Sequence, residues 1–176
     1  MTGHVGPGSL RSMHRAVVDM LAAAAAVATN PLEVYRLALS RVAPLIEADF
    51  GSVFLRDPED LTLLKLVCAH NWPQSSARHL GNLRIRIGRG PTGQAVADGV
   101  SIEVADVFKE SEMREWWQPA RELGFTSLIA TPLIRDDLPH GAISFYYTSP
   151  RQPDPDRRAL VEATARAVAP LLTHSD

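Results

Sequence analysis

Apolar residues recur along this chain with two different periods, and most element boundaries fall where the period changes. From Ser12 to Ala28 the residues Met13, Val17, Met20, Leu21, Ala24 and Val27 or Ala28 recur at the spacing of a helix. The alanine run 22–26 favours helix and offers a small-residue surface for close helix packing. Asn30-Pro31-Leu32-Glu33 reads as a second helix start: Asn30 caps, proline fits the first position, and Glu33 completes a variant capping box. That helix runs through Leu39 and Val42 until Pro44 kinks or ends it.

The period then falls to two. Ser52–Arg56 and Thr62–His70 are predicted strands separated by the turn Asp57-Pro58-Glu59-Asp60. Asn82–Ile87 alternates polar and apolar residues, as a strand with one wet face does. Thr92–Asp98 is a short helix, Ile102–Val104 a short strand, and residues 111–123 a helix interrupted by Pro119. Two β-rich runs, 126–134 and 142–147, flank a polar turn from Arg135 to Gly141, the pattern of a hairpin. A last helix starts at Asp154-Pro155-Asp156 and carries Leu160, Thr164, Ala167, Val168 and Leu171 inward. Helices, antiparallel strands, short crossover helices, a hairpin and a helix make an α+β chain rather than an alternating βαβ one.

Composition narrows the class. With 176 residues, 45% of them hydrophobic, the chain makes one globular domain, expected over 12–173 behind a flexible lead at 1–11. A net charge of −2 gives no pull toward nucleic acid or membrane. The longest stretches without a charge, Met20–Leu32 and Leu138–Pro150, are too short to span a bilayer, and the polar N-terminus does not read as a signal peptide. One cysteine, Cys68, cannot form an internal disulfide and suits a reducing cytoplasm, the expected location.

The glycines Gly88-x-Gly90-x-x-Gly93 follow a strand, open a helix and precede Asp106, which matches a dinucleotide fingerprint letter for letter. Three details oppose that reading. The strand carries Arg84 and Arg86 where a doubly buried strand would be apolar; the helix is about two turns long; and no second βαβ unit follows. The alternative is local: Gly88 and Gly90 allow a positive-φ turn, and Gly93 lets the helix pack closely.

The segment Gly93-Gln94-Ala95-Val96-Ala97 is followed by a strand ending in aspartate, Ile102–Asp106. Gly124, Ser127, Pro132-Leu133 and Gly141-Ala142-Ile143 come next. In that order these pieces resemble the GAF family of small-molecule sensor domains, over about residues 14–172. The resemblance implies a PAS-related central antiparallel sheet of about six strands, with helices on one face and a ligand cavity on the other. Alternation then assigns side chains. Ile143, Phe145 and Tyr147 meet the helices, whereas Ala142, Ser144 and Tyr146 look into the cavity, matched by Ser127, Ile129 and Thr131 on the preceding strand. Trp116 and Trp117 lie on the segment that caps the cavity in the family. Helical neighbours diverge by about 100°, so at most one of them faces fully inward. His70, with Asn71 and Trp72, stands at the rim or in a simple turn.

Chemistry is sparse. The six histidines are scattered, with no His-Glu-x-x-His, Cys-x-x-Cys, Gly-x-Ser-x-Gly or P-loop, so neither catalytic nor metal-ligating residues are assigned and no cofactor is indicated. GAF-like reductases of free methionine sulfoxide use several cysteines; here Cys68 has no resolving partner and is expected to be structural, sharing a strand face with Leu64 and Leu66. The cysteine does not match the bilin-attachment context, and the Asn-Lys-x-Phe-Asp-Glu signature of cyclic-nucleotide-binding relatives is absent.

Three functions compete: a non-catalytic sensor of an unidentified small molecule, a redox enzyme, and a dimerisation module without ligand. The first carries the expectation. Its homodimer would use the Ala22–Ala26 helix and the 156–169 helix, unless those alanines merely face the sheet. Because Pro170 breaks the last helix and only six residues follow, output is expected to cross to a partner protein.

Overall fold

The computed structural model describes residues 7–75 and 82–172; the lead at 1–6, His4, His79, Thr173 and His174 lie outside them. Five α-helices and six strands occupy the described residues. They are α1 (Pro7–Val27), α2 (Pro31–Leu45), β1 (Phe50–Asp57), β2 (Asp60–His70), β3 (Arg84–Arg86), α3 (Gly90–Asp98), β4 (Ile102–Val104), α4 (Trp117–Leu123), β5 (Ser127–Arg135), β6 (Leu138–Tyr147) and α5 (Pro155–Val168). The strands form one antiparallel sheet in the order β3-β2-β1-β6-β5-β4. This is the expected α+β architecture.

One face of the sheet carries α1, α2 and α5. Val53, Cys68, Ile129, Leu133, Ile143 and Phe145 of the sheet meet Leu21, Leu39, Val42, Leu160, Val161 and Val168 of the helices in one core. The predicted caps hold. Asn30 Oδ1 accepts from the Leu32 N–H at 3.1 Å, and the Glu33 carboxylate takes the Asn30 side-chain amide at 3.4 Å instead of its backbone N–H. Asp154 Oδ1 accepts from the N–H groups of Asp156 and Arg157 at the start of α5, satisfying donors that the helix itself leaves free. Leu160, Thr164, Ala167, Val168 and Leu171 are buried as predicted, and α5 gives way to a 3-10 turn, Ala169–Leu171, around Pro170.

Helix α1 differs from its sequence reading. It begins at Pro7 rather than Ser12, so the segment assigned to a flexible lead is partly helical. Its inward seam is Val17, Val18, Leu21, Ala24, Ala25 and Ala28, set against α2 and α5. Of the residues at helical spacing, Met13 and Met20 are 44% and 36% exposed. Of the alternatives Val27 and Ala28, it is Ala28 that packs on the core, while Val27 is 80% exposed. The apolar surface of α1 is wider than its partners in the fold can cover.

Strand β2 departs from simple alternation. Val53 pairs with Cys68 while the next residue, Phe54, pairs with Leu66, so Val67 is the extra residue of a β-bulge. The bulge reverses parity: Cys68 joins the helix-side core, whereas Leu64 and Leu66 lie on the opposite face with Phe54. Cys68 is buried, as expected, but not beside the leucines assigned to its face.

The hairpin turn is tighter than the Arg135–Gly141 segment. Leu138 already pairs with Arg135, leaving Asp136 and Asp137 as a two-residue loop with φ of 52° and 62°, the signature of a type I′ turn. Gly141 therefore sits inside β6. A Cβ there would overlap the Phe54 carbonyl oxygen, so glycine lets β6 cross β1 closely.

Candidate ligand cavity

The second face of the sheet is covered by α3, a 3-10 turn at Ser111–Trp116, and α4. Between them and the sheet lies a cavity of about 50 Å³. Its floor is Phe54, Leu128 and Tyr146 from β1, β5 and β6. Leu83 and Ile85 close the β3 side, Trp72 and Phe125 one end, and Gly90, Pro91 and Thr92 the wall at the start of α3. Val107, Met113, Trp116, Pro119 and Leu123 form the roof. None of the described residues bordering it is an Asp, Glu, Lys, Arg or His.

The glycine fingerprint is accounted for here. Gly88 and Gly90 have φ of 85° and 63°, and a Cβ on Gly90 would run into the Trp116 indole lying across it. A Cβ on Gly93 would overlap the Arg86 carbonyl oxygen, where α3 passes β3. With β3 a three-residue antiparallel edge strand and α3 nine residues long, the glycines serve a turn and two close approaches. Among the described residues the sheet holds no parallel pair on which a dinucleotide-binding crossover could be built.

The adjacent tryptophans divide as expected. Trp116 turns inward, and its Nε1–H is buried without a hydrogen-bond partner. Trp117 turns outward; its Nε1–H donates to the Val107 carbonyl at 2.6 Å, and its ring packs with Phe108 beneath Arg121. It anchors the roof and does not line the cavity.

Tyr146 projects from β6 into the cavity, with Phe125 5.0 Å and Trp72 6.1 Å away between ring centroids. Its hydroxyl shares a hydrogen bond of 2.8 Å with Ser52 Oγ. Burial pushes its pKa up, against the opposing hydrogen bonds of Ser52, Ser144 and Thr92. Ser144 is on the predicted side but is fully covered, bonded to Thr92 Oγ1 at 3.2 Å, so it supports the floor without bordering the space.

Three residues assigned to the cavity are on the wrong face. Ser127, Ile129 and Thr131 pair with Tyr147, Phe145 and Ile143 and therefore share the helix side with them. Ile129 sits in the helix-side core, and Ser127 Oγ donates to the Ser149 carbonyl. Ser101 Oγ donates to Glu162 at 2.8 Å, so the Thr131 hydroxyl donates to Ser101 at 2.9 Å. The cavity side of β5 is Leu128 and Ala130. His70 also belongs to the helix side. It pairs with Gly51, above which stand Leu39 and Phe145, and burial lowers its pKa. Trp72, two residues on, is the cavity residue of that segment.

Ser52 and Thr92 were not anticipated. Ser52 pairs with Ser144 across β1 and β6, and two serines at matched positions of neighbouring strands were the available signal. Phe54, Leu83, Ile85, Met113, Phe125 and Leu128 carry no sequence mark that separates a cavity wall from a core.

Among the described residues no three His, Cys, Asp or Glu side chains stand together as a metal site, and no helix is long and apolar enough to cross a membrane.

Comparison with known proteins agrees with this arrangement. The family model of the GAF domain matches residues 28–173, and the chain belongs to that family. The fold is similar to the GAF domain of a phosphoenolpyruvate-protein phosphotransferase from Coxiella burnetii, at 18% identity and TM-score 0.75, covering 90% of this chain and 91% of that one. The corresponding Acinetobacter domain has 10% identity and TM-score 0.71, covering 89% and 90%. The free methionine-R-sulfoxide reductase of Neisseria meningitidis, solved with its substrate, has 20% identity and TM-score 0.74, covering 96% and 94%. No curated protein sequence matches the chain.

Proposed function

We propose that this GAF domain is a non-catalytic sensory module that binds a small molecule in the cavity beneath Trp116 and signals as a homodimer through α1. The observation that carries the reading is the cavity itself: an apolar space with one unpartnered donor, whose roof includes a turn, Ser111–Trp116, in which no residue is fully buried. Enclosed apolar pockets with few polar groups are the usual form of small-molecule sites. A loosely held roof supplies the moving part a sensor requires.

The reductase fold sets up the rival reading, and the thiol argues against it. Cys68 is on the helix side of the sheet, away from the cavity, and burial pushes its pKa up to about 11. A reactive cysteine instead needs thiolate character and access to substrate.

For the dimer, the support is the surface of α1. Leu10, Met13, Val17, Met20, Ala24 and Val27 are spaced 3-4-3-4-3, the repeat of a two-helix seam, and four of them are more than a third exposed. The alanines play different parts. Ala25 is in the core, whereas Ala22, Ala23 and Ala26 are exposed.

Native mass spectrometry of freshly purified protein tests the sensing function. A retained small molecule, lost on filling the roof with Met113→Trp while the thermal transition persists, is the expected result. A ligand held equally by that variant would place the site elsewhere.

A further inference from the structure

The cavity's chemistry limits what it can hold, and this step rests on the sensory reading above. Among the described residues, none that borders the cavity carries a charge, so an ionised ligand buried here would meet no opposite charge from them. Burying an unpaired charge is prohibitive, so charged molecules are disfavoured. The one feature favouring an anion is the start of α3, where the helix dipole is positive. Pro91 removes one of the N–H groups there, and no cation joins it: Arg89 turns outward to Glu115. The Tyr146 hydroxyl is engaged with Ser52 and is hydrogen-bonded by Ser144 and Thr92 as well, and those two bond each other, so these hydroxyls already form a shared network.

Trp116 Nε1–H is the unmet group. An indole nitrogen only donates, and a buried donor without a partner is a cost that a ligand acceptor would remove. Around it, Trp72, Phe125 and Tyr146 supply flat apolar walls. At about 50 Å³ the space is smaller than the ~150 Å³ of a dry protein cavity that takes benzene. One ring therefore exceeds the space as it stands and enters only where the 111–116 roof yields, which argues against anything larger.

We propose that the cavity takes an uncharged, single-ring aromatic molecule carrying a hydrogen-bond acceptor, to which Trp116 Nε1–H donates. The acceptor sets orientation, the ring supplies the apolar contact, and outward displacement of Met113 and Trp116 reports occupancy to the roof.

Three probes of matched shape separate the elements of this proposal: acetophenone, with a ring and an acceptor; ethylbenzene, with the ring alone; and benzoate, with a charge. Titrations followed through the indole N–H signals of Trp72, Trp116 and Trp117 in two-dimensional NMR give both affinity and place. The Trp117 proton, already bonded to the Val107 carbonyl, is the internal control. Acetophenone is expected to shift the Trp116 signal saturably while Trp117 stays nearly fixed. Ethylbenzene is expected to bind about tenfold more weakly, and benzoate at least about a hundredfold more weakly. Trp116→Phe should bring acetophenone down to the level of ethylbenzene. Benzoate binding as tightly as acetophenone, or equal affinities for acetophenone and ethylbenzene, would overturn the ligand class and leave the cavity as a site. No saturable shift from any probe at its solubility limit would overturn the cavity as a ligand site as well. The wild-type series decides the matter even if the Trp116 variant fails to fold.

Discussion

At the residue scale, two buried groups on the helix side carry costs that can be measured. Tyr35 is 1% exposed and its hydroxyl has no hydrogen-bond partner, while burial, reinforced by the nearby Cys68 thiol, pushes its pKa up to about 12. Tyr35→Phe removes the stranded hydroxyl and leaves the ring, so it is expected to raise stability by about 1 kcal/mol in urea unfolding; a loss of that size would mean the hydroxyl has a partner. Burial also holds the Tyr147 hydroxyl up to about 12, although Arg157 and Arg151 act in the opposite direction. Cys68, Tyr35 and Tyr147 all stay protonated in the fold beyond their ordinary values of 9.0, 10.0 and 10.0. Each pKa is raised, so each contributes stability that is complete below pH 9 and is lost as pH rises from about 9 toward 12, where the unfolded chain releases its protons first. The melting temperature should fall across that window, and less steeply in Cys68→Ala and Tyr35→Phe. An unchanged slope in both variants would refute the assignment. At neutral pH, Cys68→Ala should cost about 1–2 kcal/mol, and native Cys68 should alkylate only as fast as the protein opens.

Elements show where the sequence was legible and where it was not. The starts of α2 and α5 were plain because capping is local chemistry: Asn30 and Asp154 bond N–H groups two or three residues away. Face assignment succeeded on β6, where Ile143 and Phe145 oppose the helices. It failed on β5, although both strands are buried continuously, Ser127–Leu133 and Gly141–Tyr147. The difference is that β6 has its largest apolar side chains on the helix side, whereas β5 has apolar residues on both faces and hydroxyls on the helix side. A strand buried on both faces has no polar side to mark, and the hydroxyls of Ser127 and Thr131 are satisfied within the helix-side layer. The bulge at Val67 was equally unreadable, because its cause is pairing with β1. The cavity was visible in the sequence only through Trp116, Tyr146 and the rim residue Trp72, since its remaining walls come together from separate parts of the chain between Phe54 and Leu128. The hairpin allows a direct test of local geometry. Asp137 holds a φ of 62° at the second turn position, where glycine costs least. Asp137→Gly relieves a left-handed conformation that costs an L-residue about 1–2 kcal/mol but frees the unfolded chain by about 0.4–1 kcal/mol. A net stabilisation of about 0.5 kcal/mol is therefore expected, read as a higher urea midpoint at unchanged slope; destabilisation would show that the aspartate side chain itself holds the turn.

For the whole molecule, the open matter is what covers the exposed stripe of α1. Leu10, Met13 and Met20 are each about two-fifths exposed and Val27 is 80% exposed. Full burial of such a side chain is worth about 1.5–3 kcal/mol, so covering what remains exposed yields about 1 kcal/mol for each. Two copies of the stripe facing each other therefore gain about 8 kcal/mol, which lies within the ~4–15 kcal/mol cost of association. The balance points to a weak, concentration-dependent dimer rather than an obligate one. Light scattering across about 1–200 μM should show mass rising from one chain toward two. Met20→Arg, at the centre of the stripe, should shift that transition at least tenfold upward and leave the thermal unfolding of the monomer within about 0.5 kcal/mol. Ala23→Arg, exposed beside the stripe, should have a smaller effect. Ala25→Arg cannot serve as an interface probe, since Ala25 is 7% exposed within the helix-side core and arginine there would unfold the domain. A dimer that forms equally well with arginine at Met20 would move the interface away from α1. A strictly monomeric chain at the top of the range would leave the stripe to a different partner and remove homodimerisation from the proposed signalling route.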